Sequence, residues 1–99
     1  MSVPVVYQTA AQRDVEKAYR WYRKKSPASA DRFLAQLEVF IARIGKMPEM
    51  YAIVRQQARL APLRQFPYIV CYRVLTDRIE ILAVYHGRRK ASVWRKRLG

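Results

Sequence analysis

One side chain of this 99-residue chain has an ordinary titration near neutrality, His86, and it stands directly before Gly87-Arg88-Arg89. A base flanked by guanidinium groups is what RNA cleavage by a neighbouring 2′-hydroxyl demands. The base takes the hydroxyl proton, cations hold the phosphoryl oxygens and an acid protonates the leaving oxygen. Arg64 and Arg73 are the further arginines that could approach His86 across a sheet. A lone histidine without a fixed partner fails the geometric requirement for a general base, so a structural role at a strand end stands beside the catalytic one. Arg73 has an alternative of its own, an ion pair with Glu80 across a hairpin.

Other chemistries lack their residues. One histidine, one cysteine and no carboxylate cluster leave no metal site. Three glycines in the whole chain leave no phosphate-binding loop, and no cofactor is expected. Cys71 cannot form an internal disulfide and alternates with apolar neighbours, which reads as a buried thiol in a reducing cytoplasm. Tyr19, Trp21 and Tyr22 could stack nucleic-acid bases, although aromatics at helical spacing more often serve a core or a partner interface. Trp94 beside Arg95-Lys96-Arg97 reads either as an anchor for a target or antagonist, or as a tail residue folded back on the sheet.

Charge narrows the partners. Twenty Lys and Arg oppose seven Asp and Glu, a net +13. The excess is +4 over residues 1–49 and +9 over 50–99, and no acid follows Glu80. Such a surface repels itself and attracts polyanions or acidic proteins. Arginine dominates, fourteen to six, and arginine forks onto carboxylate or phosphate. No run of apolar residues is long enough to cross a membrane, and the N-terminal residues carry no secretory pattern.

The elements that must position these groups follow from period and punctuation. Val3 to Tyr7 is a β-branched strand. Thr9-Ala-Ala-Gln12 matches a capping box, and Ala11, Val15, Ala18 and Tyr22 make one helical stripe from which Trp21 points away. Ser26-Pro27 restarts a helix whose apolar face runs from Ala30 to Ile44, with Gly45 and Pro48 as its stop. With so short a joint, the two helices fold back as an antiparallel hairpin. Beyond Met50 the period becomes two. Ala52–Val54 and Arg59–Leu63 are short strand candidates; Phe66–Leu75 and Arg78–His86 form a hairpin about Thr76-Asp77 at the sheet centre. Ala91–Arg97 is a short helix or a basic tail. The expected fold is α+β: an N-terminal strand, a helical hairpin on a three- to four-stranded antiparallel sheet and a short C-terminal helix or tail, all one domain over 1–99.

Several stretches together carry a resemblance: Ala18-Tyr19-Arg20-Trp21-Tyr22, Ser26 to Phe33, Arg64-Gln65-Phe66-Pro67-Tyr68-Ile69-Val70, Tyr72-Arg73-Val74, Ile79 to Arg89, and Trp94. In this order and at this length the chain resembles the RelE/ParE superfamily of bacterial toxins, and within it the ParE-like branch. The resemblance implies the same helix-pair-on-sheet fold and an antitoxin, usually encoded alongside, that lays an extended and helical tail over the toxin. It also implies a toxin–antitoxin complex of heterotetramer size or larger, growth inhibition and a part in plasmid stabilisation. ParE-like toxins poison DNA gyrase without a known hydrolytic site, whereas RelE-like toxins cut messenger RNA in the ribosome. Aligned on Tyr72-Arg73-Val74, the two lysines of a RelE-type enzyme fall at about Leu60 and Pro62, and the arginine of the next strand falls near Ile69. All three are apolar here, and only the C-terminal basic element persists, as Arg88 or Arg89. The expectation is a gyrase-directed toxin acting by binding and silenced by an acidic antitoxin. The alternative is a ribosome-dependent messenger RNA endonuclease using Arg64, His86 and Arg88 or Arg89. A third reading is a basic nucleic-acid-binding domain that harms nothing. Under the first, Arg73, Trp94, Arg95 and Trp21 are the candidate contact residues.

Overall fold

The computed structural model of the protein describes residues 3–89 and 92–98. In chain order the elements are β1 (Val5–Tyr7), α1 (Thr9–Lys25), α2 (Pro27–Lys46), β2 (Ile53–Arg55), β3 (Ala58–Pro62), β4 (Tyr68–Val74), β5 (Ile79–His86) and α3 (Ser92–Arg95), which runs into a 3₁₀ turn over Lys96–Leu98. The α+β class stands, with the helical hairpin on one face of the sheet. The sheet is larger than expected and mixed. Five strands lie in the order β1-β5-β4-β3-β2, with β1 parallel to β5 and every other neighbour antiparallel. Alternating hydrophobicity marks a strand without giving its direction, and both weak candidates after Met50 do form strands.

The helical hairpin turns on a single residue. Ser26 sits in extended backbone between α1 and α2. Its N–H donates to the Tyr22 carbonyl (2.9 Å) and closes α1, while its Oγ accepts from the Ser29 N–H (3.4 Å) and opens α2. Pro27 fills the first helical position, where no N–H is needed.

Two other boundaries depart from the sequence reading. The N-cap of α1 is Gln8, without a side-chain cap bond, and Thr9 is already helical. Gln8 donates its N–H to the Ile81 carbonyl (3.0 Å) as the last rung beside β5, so the end of the strand ladder sets the helix start. Gly45 does not stop α2, which runs to Lys46. It is buried where β1 crosses, and a Cβ there would stand 3.4 Å from Val5 Cγ2.

Two cores sandwich the sheet. Ala11, Ala18, Phe33, Leu37, Phe40 and Ile44 from the helices pack on Ala61, Val70, Tyr72, Ile79, Ile81 and Val84. Burial of these apolar groups is the main stabilising force, at roughly 1.5–3 kcal/mol for each large side chain. The opposite face carries Ala58, Cys71, Leu82, Ala83 and Tyr85, covered by Trp94 of α3 with Val93 and Leu98. A bulge in β5 produces one of these contacts. Cys71 pairs with Ala83 and Tyr72 with Ile81, so Leu82 is the extra residue.

Candidate functional site

Past the end of β1 the edge of β5 has no strand neighbour among the described residues, and two charged side chains finish it instead. Asp14 of α1 accepts from the Val84 N–H (2.9 Å). Arg97, on the 3₁₀ turn, donates to the Leu82 carbonyl (3.0 Å) and grips both Asp14 oxygens, one contact being Nη2 to Oδ1 at 3.0 Å. The guanidinium thus satisfies the carbonyl of the bulged residue and ties the C-terminal segment to α1.

Beside this clasp a groove of about 390 Å³ opens between α1 and the C-terminal end of β5. Ala18, Val84 and Val93 line it with the aromatic side chains of Trp21, Tyr22, Tyr68 and His86, and Lys17 and Arg89 bring charge to it. Asp14, Lys17, Ala18 and Trp21 share one side of α1 because their spacing follows the helical turn. Trp21 is 53 % exposed. It meets the edge of Tyr22 with ring centroids 5.0 Å apart, and Lys25 Nζ lies 4.9 Å from its ring centre. Behind it Tyr22, Phe33, Phe66 and Tyr68 make a continuous aromatic cluster. Burial raises the Tyr68 phenol, Arg89 draws it back and Asp14 adds to the rise.

His86 is held from two sides. Its ring stands edge-on to Tyr68 at 5.4 Å, and its Nδ1 accepts from the Arg88 backbone N–H at 3.1 Å. With Nδ1 so engaged, the neutral imidazole carries its proton on Nε2. The structure therefore brings Trp21, His86 and Arg89 to one groove, with Arg88 contributing its backbone.

It separates the other candidates. Arg64 is exposed in the β3–β4 connection. Arg73 is opposite Glu80, six residues along β5 from His86 and roughly 20 Å away at the rise of a strand, so it does not approach the histidine. The Arg73–Glu80 pair read from the hairpin is present: Nε to Oε1 is 2.9 Å, and Arg78 adds a second contact at 3.3 Å. Trp94 is 3 % exposed and packs into the core beneath the sheet, so it does not face outward as an anchor; Arg95 is exposed beside its ring. Ala91, the first residue of the expected terminal element, lies outside the described residues. Lys17 and Asp14 escaped the sequence reading, and so did the pairing of Arg97, there read only as part of a basic anchor beside Trp94, with Asp14. The helical spacing of 14, 17 and 21 held a signal for the first two. Arg97 meets Asp14 from 83 positions away and left none.

Leu60, Pro62 and Ile69 fall on one face, since Pro62 pairs with Ile69 and Leu60 with Cys71. Leu60 and Ile69 pack against the Trp94 cluster. Cys71 at its centre is pushed up to about 12 by burial, which keeps it a thiol. Among the described residues no group of three or more His, Cys, Asp or Glu could hold a metal, and no helix is long and apolar enough to cross a membrane.

Comparison with known proteins gives a consistent result. The family described as "ParE toxin of type II toxin-antitoxin system, parDE" matches residues 5–91. A protein named Toxin ParE2 from Mycobacterium tuberculosis H37Rv is 33% identical over 75 residues, which cover 75% of this chain and 71% of that protein. The fold is also similar to a solved chain of the chromosomal ParDE toxin–antitoxin system from P. aeruginosa, with TM-score 0.76 and 17% identity, covering 86% of this chain and 96% of that one. A chain of the RelBE2 toxin–antitoxin complex from Mycobacterium tuberculosis gives 0.61 and 22%, with coverage of 87% and 99%.

Proposed function

The chain belongs to the ParE toxin family of type II toxin–antitoxin systems, and on that premise we propose that it arrests growth by binding a macromolecular target, DNA gyrase, rather than by cutting RNA. The observation that carries this reading is the sheet face of Leu60, Pro62 and Ile69. A RelE-type enzyme needs lysines and an arginine there to hold a phosphate. Here the positions are apolar, and α3 and the 3₁₀ turn pack over part of that face. A phosphodiester brought to these three positions would lose water and gain no cation from them, a cost of several kcal/mol. His86 supports the same reading, with one ring nitrogen committed to its own turn.

The same reasoning supplies an antagonist. A +13 chain with no acid after Glu80 is complementary to an acidic protein, and the two solved neighbours come from toxin–antitoxin systems. We infer a cognate acidic antitoxin encoded beside this gene. Two assays on the purified chain separate the mechanisms. Gyrase supercoiling should be inhibited, with cleaved DNA–enzyme complexes accumulating. Primer extension on messages from a cell-free translation reaction should show no new ends. His86→Ala should leave growth arrest intact; loss of toxicity in that folded variant, together with new message ends from the parent chain, would hand the activity to the nuclease reading.

A further inference from the structure

The groove beside α1 has a composition that selects its occupant. Ala18, Val84 and Val93 give its lining an apolar part, the half-exposed Trp21 adds an aromatic one, and its charged side chains other than Asp14 are the cations Lys17 and Arg89. Asp14, the one acid in it, is neutralised by Arg97. We propose that this groove seats a single aromatic or large aliphatic side chain of the antitoxin, delivered by a segment with carboxylates on either side that pair with Lys17 and Arg89. This deepens the antitoxin reading above and rests on it.

Three features favour such a peptide. The volume of about 390 Å³ lies within the range of sites that bury a compact group, and a large side chain with its flanking backbone fits that size. Burying an apolar side chain against Ala18, Val84 and Val93, and covering an exposed tryptophan, matches the make-up of interface hot spots. The placement of charge outside an apolar centre is the ordinary arrangement of a protein interface. A nucleotide suits it less well. Ala18, Val84 and Val93 offer the polar edge of its base no side-chain hydrogen bond, which leaves that edge to the tyrosines, His86 and the cations of the lining.

The chain has two tryptophans, Trp21 half exposed and Trp94 buried on the far face of the sheet. Labelled with 5-fluorotryptophan it gives two ¹⁹F resonances, assigned by Trp21→Phe. Titration with the purified acidic protein encoded beside this gene should shift the Trp21 resonance and shield it from solvent, while Trp94 reports that the fold is unchanged. The double charge reversal Lys17→Glu with Arg89→Glu, at two exposed positions, should weaken binding by roughly tenfold or more. Tight binding with Trp21 unmoved and affinity unaltered in the double variant overturns the seat and leaves the antitoxin reading standing. No binding at all overturns both. A thymidine oligonucleotide that shifts Trp21 while the antitoxin leaves it untouched would make the groove a nucleic-acid site and likewise overturn the proposal.

Discussion

Glu80 is one of two acids in the last fifty residues, and the protein spends it on structure. Its carboxylate receives Arg73 at 2.9 Å, Arg78 at 3.3 Å and, more loosely, Gln8 Nε2 at 3.5 Å. Burial would raise its pKa, but the hydrogen bonds and charges of Arg73 and Arg78 outweigh that and hold it below the ordinary value. A depressed carboxylate stabilises the fold above its unfolded pKa, and the contribution disappears as pH falls through the lower folded value. Thermal melts should therefore be flat in this respect near neutrality and lose stability below about pH 4. Glu80→Gln should cost about 1–2 kcal/mol at pH 7 and blunt that acid dependence. An unchanged melting temperature in the variant would show the network to be idle. The Arg73 pairing could be read from the sequence because a two-stranded hairpin fixes its own register. The Asp14–Arg97 clasp could not, because only the finished fold brings the two together. Cys71 tells a simpler story: with its thiol raised to about 12 by burial, it should resist alkylation until the protein unfolds, and rapid labelling of the native chain would contradict the packing around it.

Among the elements, boundaries set by local chemistry were legible and those set by neighbours were not. Ser26-Pro27 carries its own cap, so the break between α1 and α2 is visible in the residues. The start of α1 is dictated from outside, by the rung that ties Gln8 to Ile81. Gly45 misleads for the same reason: glycine near a helix end suggests a stop, yet here it lies within α2 under Val5. The consequence can be measured. An added methyl would make ordinary contact at 3.4 Å, and alanine is the better helix former, so Gly45→Ala should stabilise by roughly 0.5–1 kcal/mol. A loss in chemical denaturation would mean that the added methyl crowds Val5 of β1. The β2–β3 turn offers a second case. Gln56 and Gln57 both have positive φ, 48° and 70°, which a tight hairpin demands and glutamine resists. Gln56→Asn with Gln57→Gly supplies the residues that prefer this backbone and should gain about 1 kcal/mol or more. No turn signal marked this hairpin in the sequence, which is why β2 and β3 read as weak candidates.

At the scale of the whole molecule the governing quantity is unbalanced charge. Composition alone gave the +13, and with it an expectation about partners, but not where the cations would stand. Folding concentrates like charges on a small body, and their repulsion subtracts from a stability that for a domain of this size is only several kcal/mol. Screening should restore part of it. Raising sodium chloride from about 0.01 to 0.15 M shortens the Debye length from about 30 to about 8 Å, so the melting temperature of the free chain should rise across that range. Most small domains with balanced surfaces show little such gain, since salt there weakens attractive pairs as much as repulsive ones. An acidic antitoxin should do the same work specifically. At a hundredfold excess over its dissociation constant it adds about 2.7 kcal/mol by mass action. Its stabilisation should also shrink as salt rises, opposite in sign to the trend of the free chain. A free chain that melts lower in salt would show that local ion pairs such as Asp14–Arg97 and Arg73–Glu80 outweigh the net repulsion. The complementarity argued for the antitoxin would then lose its main electrostatic driving force.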